Sequence, residues 1–306
     1  MIVHWDDVPW ADVDAGADIR AEVQDLGAAA GTIGVGLRRS RIPAGRRATT
    51  VHRHTAEEEL YYVLGGTGLA WRDGATHEVR AGDAILERPR EHAHTLVGAD
   101  GGLDVLAFGP QLPAEAGELP RAGVARVGQS WVETVAGPGF ALEAAAGPLE
   151  LPDAPSPRPA TIAAVADMPG DRKQHGPTDV MRRNVGQALG SVTTAMRHIE
   201  IAPGARSYPH HCHSAEEEIF VVLAGSGTLR LGEERIAVRA GHVVARPAGT
   251  GVAHSFWGGE EPLTVLAYGP SDPRDVCYYP DSSKLLVSGI NVVFRVEAVD
   301  YWDGEA

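Results

Sequence analysis

Hydrophobic residues along this chain come in short runs separated by glycine-bearing turns, and the runs read as strands. TGLAWRDGATHEVRAGD divides into a strand, an Asp-Gly turn, a second strand and another turn, and GTLRLGEERIAVRAGH does the same with LGEE as the turn. No stretch within these regions carries a convincing amphipathic helical period. Strands this short, at such regular spacing, predict an all-β protein built as a sandwich or small barrel, where closure or double-sheet packing limits edge exposure.

The whole pattern occurs twice. VHRHTAEEELYYVLGGTG (51–68) lies over HHCHSAEEEIFVVLAGSG (210–227), and His52 and His211, Glu59 and Glu218, and Gly82 and Gly241 are each 159 residues apart. Gly27 and Gly186, and Arg38 and Arg197, keep the same shift, so the copies cover at least 27–110 and 186–270. Further on, HTLVGADGGLDVLAFGP meets HSFWGGEEPLTVLAYGP at a shift of 160, because the preceding turn differs in length. Between the copies, AAAGPLELPDAPSPRPAT is rich in Pro, Ala and Gly and reads as an extended linker. The expected organisation is an N-terminal domain over 1–143, a linker over 144–161 and a C-terminal domain over 162–306. In the tail of the second domain, LLVSGINVVFRVEAV reads as one or two strands that add to a sheet.

Composition narrows the class. A chain of 306 residues accommodates two domains of ordinary size, and 43% hydrophobic with 22% charged residues is the balance of a globular protein. The 37 glycines and 21 prolines favour turns over long helices. A formal charge of −14 leaves no basic face for a run of phosphates, so nucleic acid and anionic membranes are not expected partners. MIVHWDDVPW lacks the basic and apolar regions of a leader, and no apolar run approaches the length of a membrane span, so a cytoplasmic location is expected. Cys212 and Cys277 are too few for a disulfide framework or a structural thiolate zinc site.

The chemistry lies in the histidines. Residues two apart on a strand share a face, so His52 points with His54 and His211 with His213. Five residues after each pair an acid, Glu59 or Glu218, opens the apolar strand, on the face of Tyr61 and Val63 or of Phe220 and Val222. A third imidazole follows in GDAILERPREHAH at His94 and in GHVVARPAGTGVAH at His254. Three neutral imidazoles and one carboxylate suit a divalent transition metal, and coordination offsets the cost of burying them. The neighbouring Glu58 and Glu217 are alternative acids, but strand parity and the distance to the next glycine favour Glu59 and Glu218. His92 and His210 read as groups behind the ligands or on the surface, and Cys212, between two inward-facing ligands, faces away.

This arrangement resembles the cupin superfamily, whose two motifs are schematically G-x5-H-x-H-x3 or 4-E-x6-G and G-x5-P-x-G-x2-H-x3-N. The first copy offers Gly45, His52, His54, Glu59 and Gly66, then Gly82, Pro89 and His94. The second offers Gly204, His211, His213, Glu218 and Gly225, then Gly241, Pro247, Gly249 and His254. The pattern departs where Gly98 and Gly258 replace the final Asn and Glu91 replaces a Gly, positions that concern turn geometry more than ligation. The resemblance implies two tandem jelly-roll-like cupin barrels, a bicupin, with a divalent metal inside each: up to two per chain, of manganese, iron, nickel, copper or zinc. It further implies a monomer, in which the fused copies satisfy the usual cupin pairing, or a homodimer.

Arg38 and Arg197 occupy equivalent strand positions and share parity with Ile42 and with Ile199 and Ile201. If that face is the barrel interior, each arginine orients a small-molecule carboxylate beside the metal; the other reading is an arginine at the rim reaching water. Tyr61 and Phe220 would shape the cavity. The functional expectation is a metal-dependent oxidoreductase or lyase, a dioxygenase or decarboxylase acting on a small carboxylate or enol; the alternative is a non-catalytic metal-bearing protein that binds a sugar or organic acid. Against oxalate decarboxylation, the substrate arginine expected three residues before each HxH pair is replaced by Thr49 and Tyr208, leaving Arg46, Arg47 or Arg206 as substitutes.

Overall fold

The computed structural model describes residues 1–127, 130–132 and 139–305. Its architecture follows from two equivalent strands of the repeat, Glu59–Arg72 and Glu218–Ala224. Successive strand residues point to opposite faces, and here both faces are buried, which is why the runs are continuously apolar. Tyr61 and Val63 pack with Ile42, Ile85 and Val105 inside the N-terminal barrel. Phe220 and Val222 pack with Ile199, Ile201 and Val265 inside the C-terminal one. The intervening residues Leu60, Leu106, Phe108, Ile219, Val221, Leu266 and Tyr268 form a third core between the two barrels. At about 1.5–3 kcal/mol for each large apolar side chain buried, this shared layer contributes substantially to stability.

In the N-terminal half the sheet order is Ile162–Ala164, Asp83–Glu87, Glu59–Arg72, His94–Pro110, Val35–Ile42, Ile19–Asp25 and Ala11–Ala15, with Ala75–Arg80 paired to Glu59–Arg72. The C-terminal half repeats it as Ile2–His4, His242–Arg246, Glu218–Ala224, Leu263–Pro270, Thr194–Ile201, Thr178–Asn184 and Asp171–His175. The opening strand of each half therefore lies in the sheet of the other half: Ile2–His4 pairs with 242–244, and Ile162–Ala164 with 83–85. The linker is laid along the N-terminal barrel, where Ser156 N donates to Thr76 O and Arg158 forms two hydrogen bonds to Asp83. In the tail, Lys284–Val287 and Val292–Arg295 extend the sheet that begins with Cys212–His213 and Val276–Tyr279.

Two positions in the repeat demand glycine. Gly66 and Gly225 have φ of 79° and 75°, and a Cβ there would lie 2.1 Å from the carbonyl oxygens of Gly102 and Pro262. At Gly98 and Gly258, which stand in place of the motif asparagine, a Cβ would approach Pro43 O to 2.5 Å and Ala202 O to 2.4 Å, so the strands cross only without side chains. Helices do occur within the repeats, at Leu26–Ala30 and Val185–Leu189, each closed by a left-handed glycine, Gly31 or Gly190. Each is five residues long, too short for the helical period to show in the sequence.

Candidate metal centres

The three consecutive glutamates of each copy have three different partners. Glu57 accepts from Leu112 N, and its counterpart Glu216 from Asp272 N, which ties down the loop after the long strand. Glu58 has the parity of Leu60 and crosses to the other half, where Ser191 Oγ, Val192 N, Thr193 N, Thr193 Oγ1, Thr194 N and Thr194 Oγ1 donate to it. Glu217 crosses the opposite way, to Ile33 N and Gly34 N. Glu59 and Glu218, with the parity of Tyr61 and Phe220, turn into the barrels. The acids nearest the candidate ligands are thus engaged between the two halves.

Inside the N-terminal barrel, His52, His54, Glu59 and His94 place one donor atom each within 4.8 Å of one another. The Nε2 atoms of His52, His54 and His94 lie 3.4, 3.5 and 3.1 Å from Glu59 Oε2. Each opposite ring nitrogen has an acceptor: His52 Nδ1 donates to Thr50 O, His94 Nδ1 to His92 O, and His54 Nδ1 to Glu115 Oε1. A donating Nδ1 directs the Nε2 lone pair inward, which is the tautomer a metal requires. Tyr61 hydroxyl donates to Glu59 Oε2 at 2.5 Å.

The C-terminal barrel repeats the pattern with changes. His211, Glu218 and His254 form one cluster within 4.8 Å, and His211, His213 and Cys277 form a second that overlaps it. Glu218 Oε2 is 3.4 Å from His213 Nε2 and 3.2 Å from His254 Nε2. His211 Nδ1 donates to Pro209 O and His213 Nδ1 to Asp275 Oδ2. Phe220 replaces Tyr61, so its ring packs against His254 and offers Glu218 no hydroxyl.

Electrostatics fits this geometry. Burial favours the neutral form of Glu59, but the hydrogen bonds from His52, His54 and His94 outweigh it and hold the carboxyl well below its usual range. Burial also disfavours the charged His54, yet Glu115 and Glu59 raise it to about 10. Burial and the proximity of His254 push His211 down to about 3. Buried atoms with no hydrogen-bond partner among the described residues include Nε2 of His54, Nε2 of His213 and Oε2 of Glu218. Such groups are costly unless something satisfies them, and all three aim into the clusters, so the donor sets fit a divalent ion.

Each cluster opens into a cavity. The N-terminal one, of about 540 Å³, is lined by Arg38 and Arg126 and by an acidic group of Asp25, Glu57, Glu59 and Glu115. The C-terminal one, of about 380 Å³, has Ile199, Phe220, Phe256 and Val265 as apolar walls and Arg182, Arg197 and Lys284 among its polar groups. Arg38 and Arg197 both line the cavities, but Arg38 is exposed, as an arginine at the rim would be, whereas Arg197 is half-buried. Of the proposed substitutes for a substrate arginine, none lines either cavity: Arg46 bonds to Ala17 O, Arg47 is buried against Asp18 and Glu143, and Arg206 lies beside the Trp257 ring. His92 is on the surface bonded to Asp73, His210 is buried beside Ser255 outside the clusters, and Cys212 belongs to neither cluster.

The sequence reading missed Glu115 and Asp275, which hold the imidazoles of His54 and His213 and also accept from the backbone N–H groups that follow them. It missed Cys277 as well. A signal was present: the shift of 160 continues through PQLPAEAGELP and PSDPRDVCYYP, aligning Glu115 with Asp275 and Gly117 with Cys277.

Comparison with known proteins agrees with this arrangement. Residues 38–107 and 197–268 match the cupin domain family, one match in each copy of the repeat. An uncharacterized protein of Methanocaldococcus jannaschii is 41% identical over 49 residues, which are 16% of this chain and 38% of that protein's length. Oxalate decarboxylase of Bacillus subtilis superposes with a TM-score of 0.57 at 16% identity, covering 89% of this chain and 76% of that one. A second structure of that enzyme, described for its Mn(II) centres, gives a TM-score of 0.56 at 15% identity over 89% and 77% of the two chains. At such identities the likeness shows the fold. No helix among the described residues is long and apolar enough to cross a membrane.

Proposed function

Because the chain carries two cupin domains in tandem, we propose that it is a metal-dependent oxidoreductase or lyase whose C-terminal cavity receives a small carboxylate or enol-type substrate. His52, His54, Glu59 and His94 would hold one divalent transition metal, and His211, His213, Glu218 and His254 another. The observation that carries the reading is the convergence of imidazole and carboxylate donor atoms inside each barrel, with Nε2 of His54 on one side and Nε2 of His213 and Oε2 of Glu218 on the other lacking a hydrogen-bond partner among the described residues. A bound ion would supply Lewis acidity toward two substrate oxygens.

The protein's own groups do the rest. Arg197 lines the C-terminal cavity and would pair with a substrate carboxylate, a contact whose fork geometry also fixes orientation. Phe220, Phe256 and Val265 exclude water around it, which strengthens that pairing. Three cationic side chains against Glu216 and Glu218 favour an anionic guest there, whereas the acidic lining of the N-terminal cavity opposes one. In that N-terminal cavity burial pushes Glu57 up to about 7, so its carboxyl can hold or release a proton near neutral pH.

Metal analysis of the purified protein tests the first part: up to two transition-metal equivalents per chain, with His52→Ala and His211→Ala each removing one. Unchanged metal content in both variants overturns the coordination. Oxygen uptake and carbon dioxide release across oxalate, gentisate, catechols and 1,3-diketones, with iron or manganese loaded, test the second. Turnover of one class that falls in Arg197→Ala is expected, and silence across the panel transfers the reading to a binding protein.

A further inference from the structure

The two centres are not chemically equal. Cys277 stands directly opposite His213 in the ladder between Cys212–His213 and Val276–Tyr279, so the two side chains project from the same face. Its Sγ lies within 4.8 Å of donor atoms of both His211 and His213. The thiol is 2% exposed and lines the C-terminal cavity, where burial favours its neutral form. In the N-terminal centre the residue opposite His54 is Gly117, which offers no donor.

The carboxylates differ in the same sense. Glu59 Oε2 already receives the Tyr61 hydroxyl, while Phe220 offers Glu218 none, and Glu218 Oε2 is 3.4 Å from His213 Nε2 and 3.2 Å from His254 Nε2. The C-terminal donors thus form two overlapping groups of three, one of which contains sulfur. Polarizable thiolate favours softer, thiophilic ions, and oxygen with imidazole serves harder ones.

Resting on the reading that both barrels hold metal, we infer that Cys277 is a ligand of the C-terminal centre and that this centre selects a softer ion, of the zinc, copper or cadmium kind, than its N-terminal twin. On binding, a sulfur–metal bond forms as the S–H bond breaks and the proton passes to solvent, with no change in oxidation state.

Cobalt(II) titration of the chelator-stripped full-length protein reports the two questions separately. Ligand-field absorption in the visible records metal bound at either centre, and a sulfur-to-cobalt charge-transfer band in the near ultraviolet records thiolate ligation. The expected result is both signals in the native protein, loss of the charge-transfer band alone in Cys277→Ser, and its retention in Cys212→Ser. Cadmium affinity at the C-terminal centre should fall about tenfold or more in Cys277→Ser. A Cβ at Gly117 would meet no heavy atom within 4 Å, so Gly117→Cys should add a second charge-transfer band of comparable intensity, a result that does not depend on Cys277→Ser folding. Ligand-field absorption without charge transfer in the native protein, or a band that survives Cys277→Ser, overturns the inference while leaving the metal centres standing. Absence of both signals overturns the metal reading itself.

Discussion

Glu58 offers the sharpest energetic test of how the two halves are held together. Its side chain is 2% exposed and accepts hydrogen bonds from six donors on Ser191–Thr194 of the other half, between 2.7 and 3.2 Å. Hydrogen bonds to a charged acceptor are worth about 1.5–3 kcal/mol each, but they are not additive and water can replace some of them. Val192 and Thr193 are exposed and regain water when the carboxylate is removed; Thr194, at 5% exposure, does not. Glu58→Ala should therefore cost about 3–4 kcal/mol, the scale of a broken buried charge network. The symmetric Glu217→Ala should cost only about 1–2 kcal/mol, because its partners are two backbone N–H groups at exposed positions, Ile33 and Gly34.

Reversible urea unfolding of the two variants beside the native protein measures the difference. Its pH dependence has a definite sign: burial opposes the charge on Glu58, but the hydrogen bonds from Ser191, Val192 and Thr193 win and lower its pKa below the ordinary glutamate value of 4.5. The stabilisation it brings is present above that value and is lost as the pH falls below it. A Glu58→Ala protein within about 0.5 kcal/mol of native, or a Glu217→Ala protein that is the less stable of the two, would refute the reasoning.

Three further outcomes concern the candidate metal centres. His54 is held protonated up to about 10, so metal must displace its proton; affinity at the N-terminal centre should rise with pH by about tenfold per unit through neutrality, and pH-independent binding in His211→Ala protein would contradict this. In the metal-free protein the sign is opposite: the raised pKa of His54 contributes stability that is full below pH 6.5 and is lost as the pH rises toward 10. Asp275→Asn and Glu115→Gln should each weaken metal binding about 10–100-fold at the centre they serve and leave the other unchanged, as chelator competition would show. Equal effects on both centres, or none, would remove these carboxylates from the imidazole-orienting role.

Much of this molecule is local and was legible. Strand parity alone assigns Glu59 with Tyr61 and Glu218 with Phe220 to one face, because side-chain direction along a strand alternates wherever the strand ends up. The repeat carries the all-β architecture for the same reason: short apolar runs and glycine turns hold their meaning without a partner. Gly66 and Gly225 are readable as turn positions, although only the approach of a carbonyl to 2.1 Å shows why no other residue serves. The brief helices at Leu26–Ala30 and Val185–Leu189 escaped because a single turn or so has no period to detect.

What the chain alone determined is which residues share a face and which segments duplicate one another, since both follow from spacing. What only the tertiary structure decided is which face meets what. Ile2–His4 and Ile162–Ala164 are too short to announce that each enters the other half's sheet, and Glu58 and Glu217 differ from Glu59 and Glu218 by partners 134 and 184 residues away. The same holds for Glu115, Asp275 and Cys277, whose positions the repeat aligns but whose contacts with the histidines exist only once distant strands are paired. Hydrogen bonds and donor clusters are set by distance in space, and sequence spacing constrains that distance only within a strand or turn.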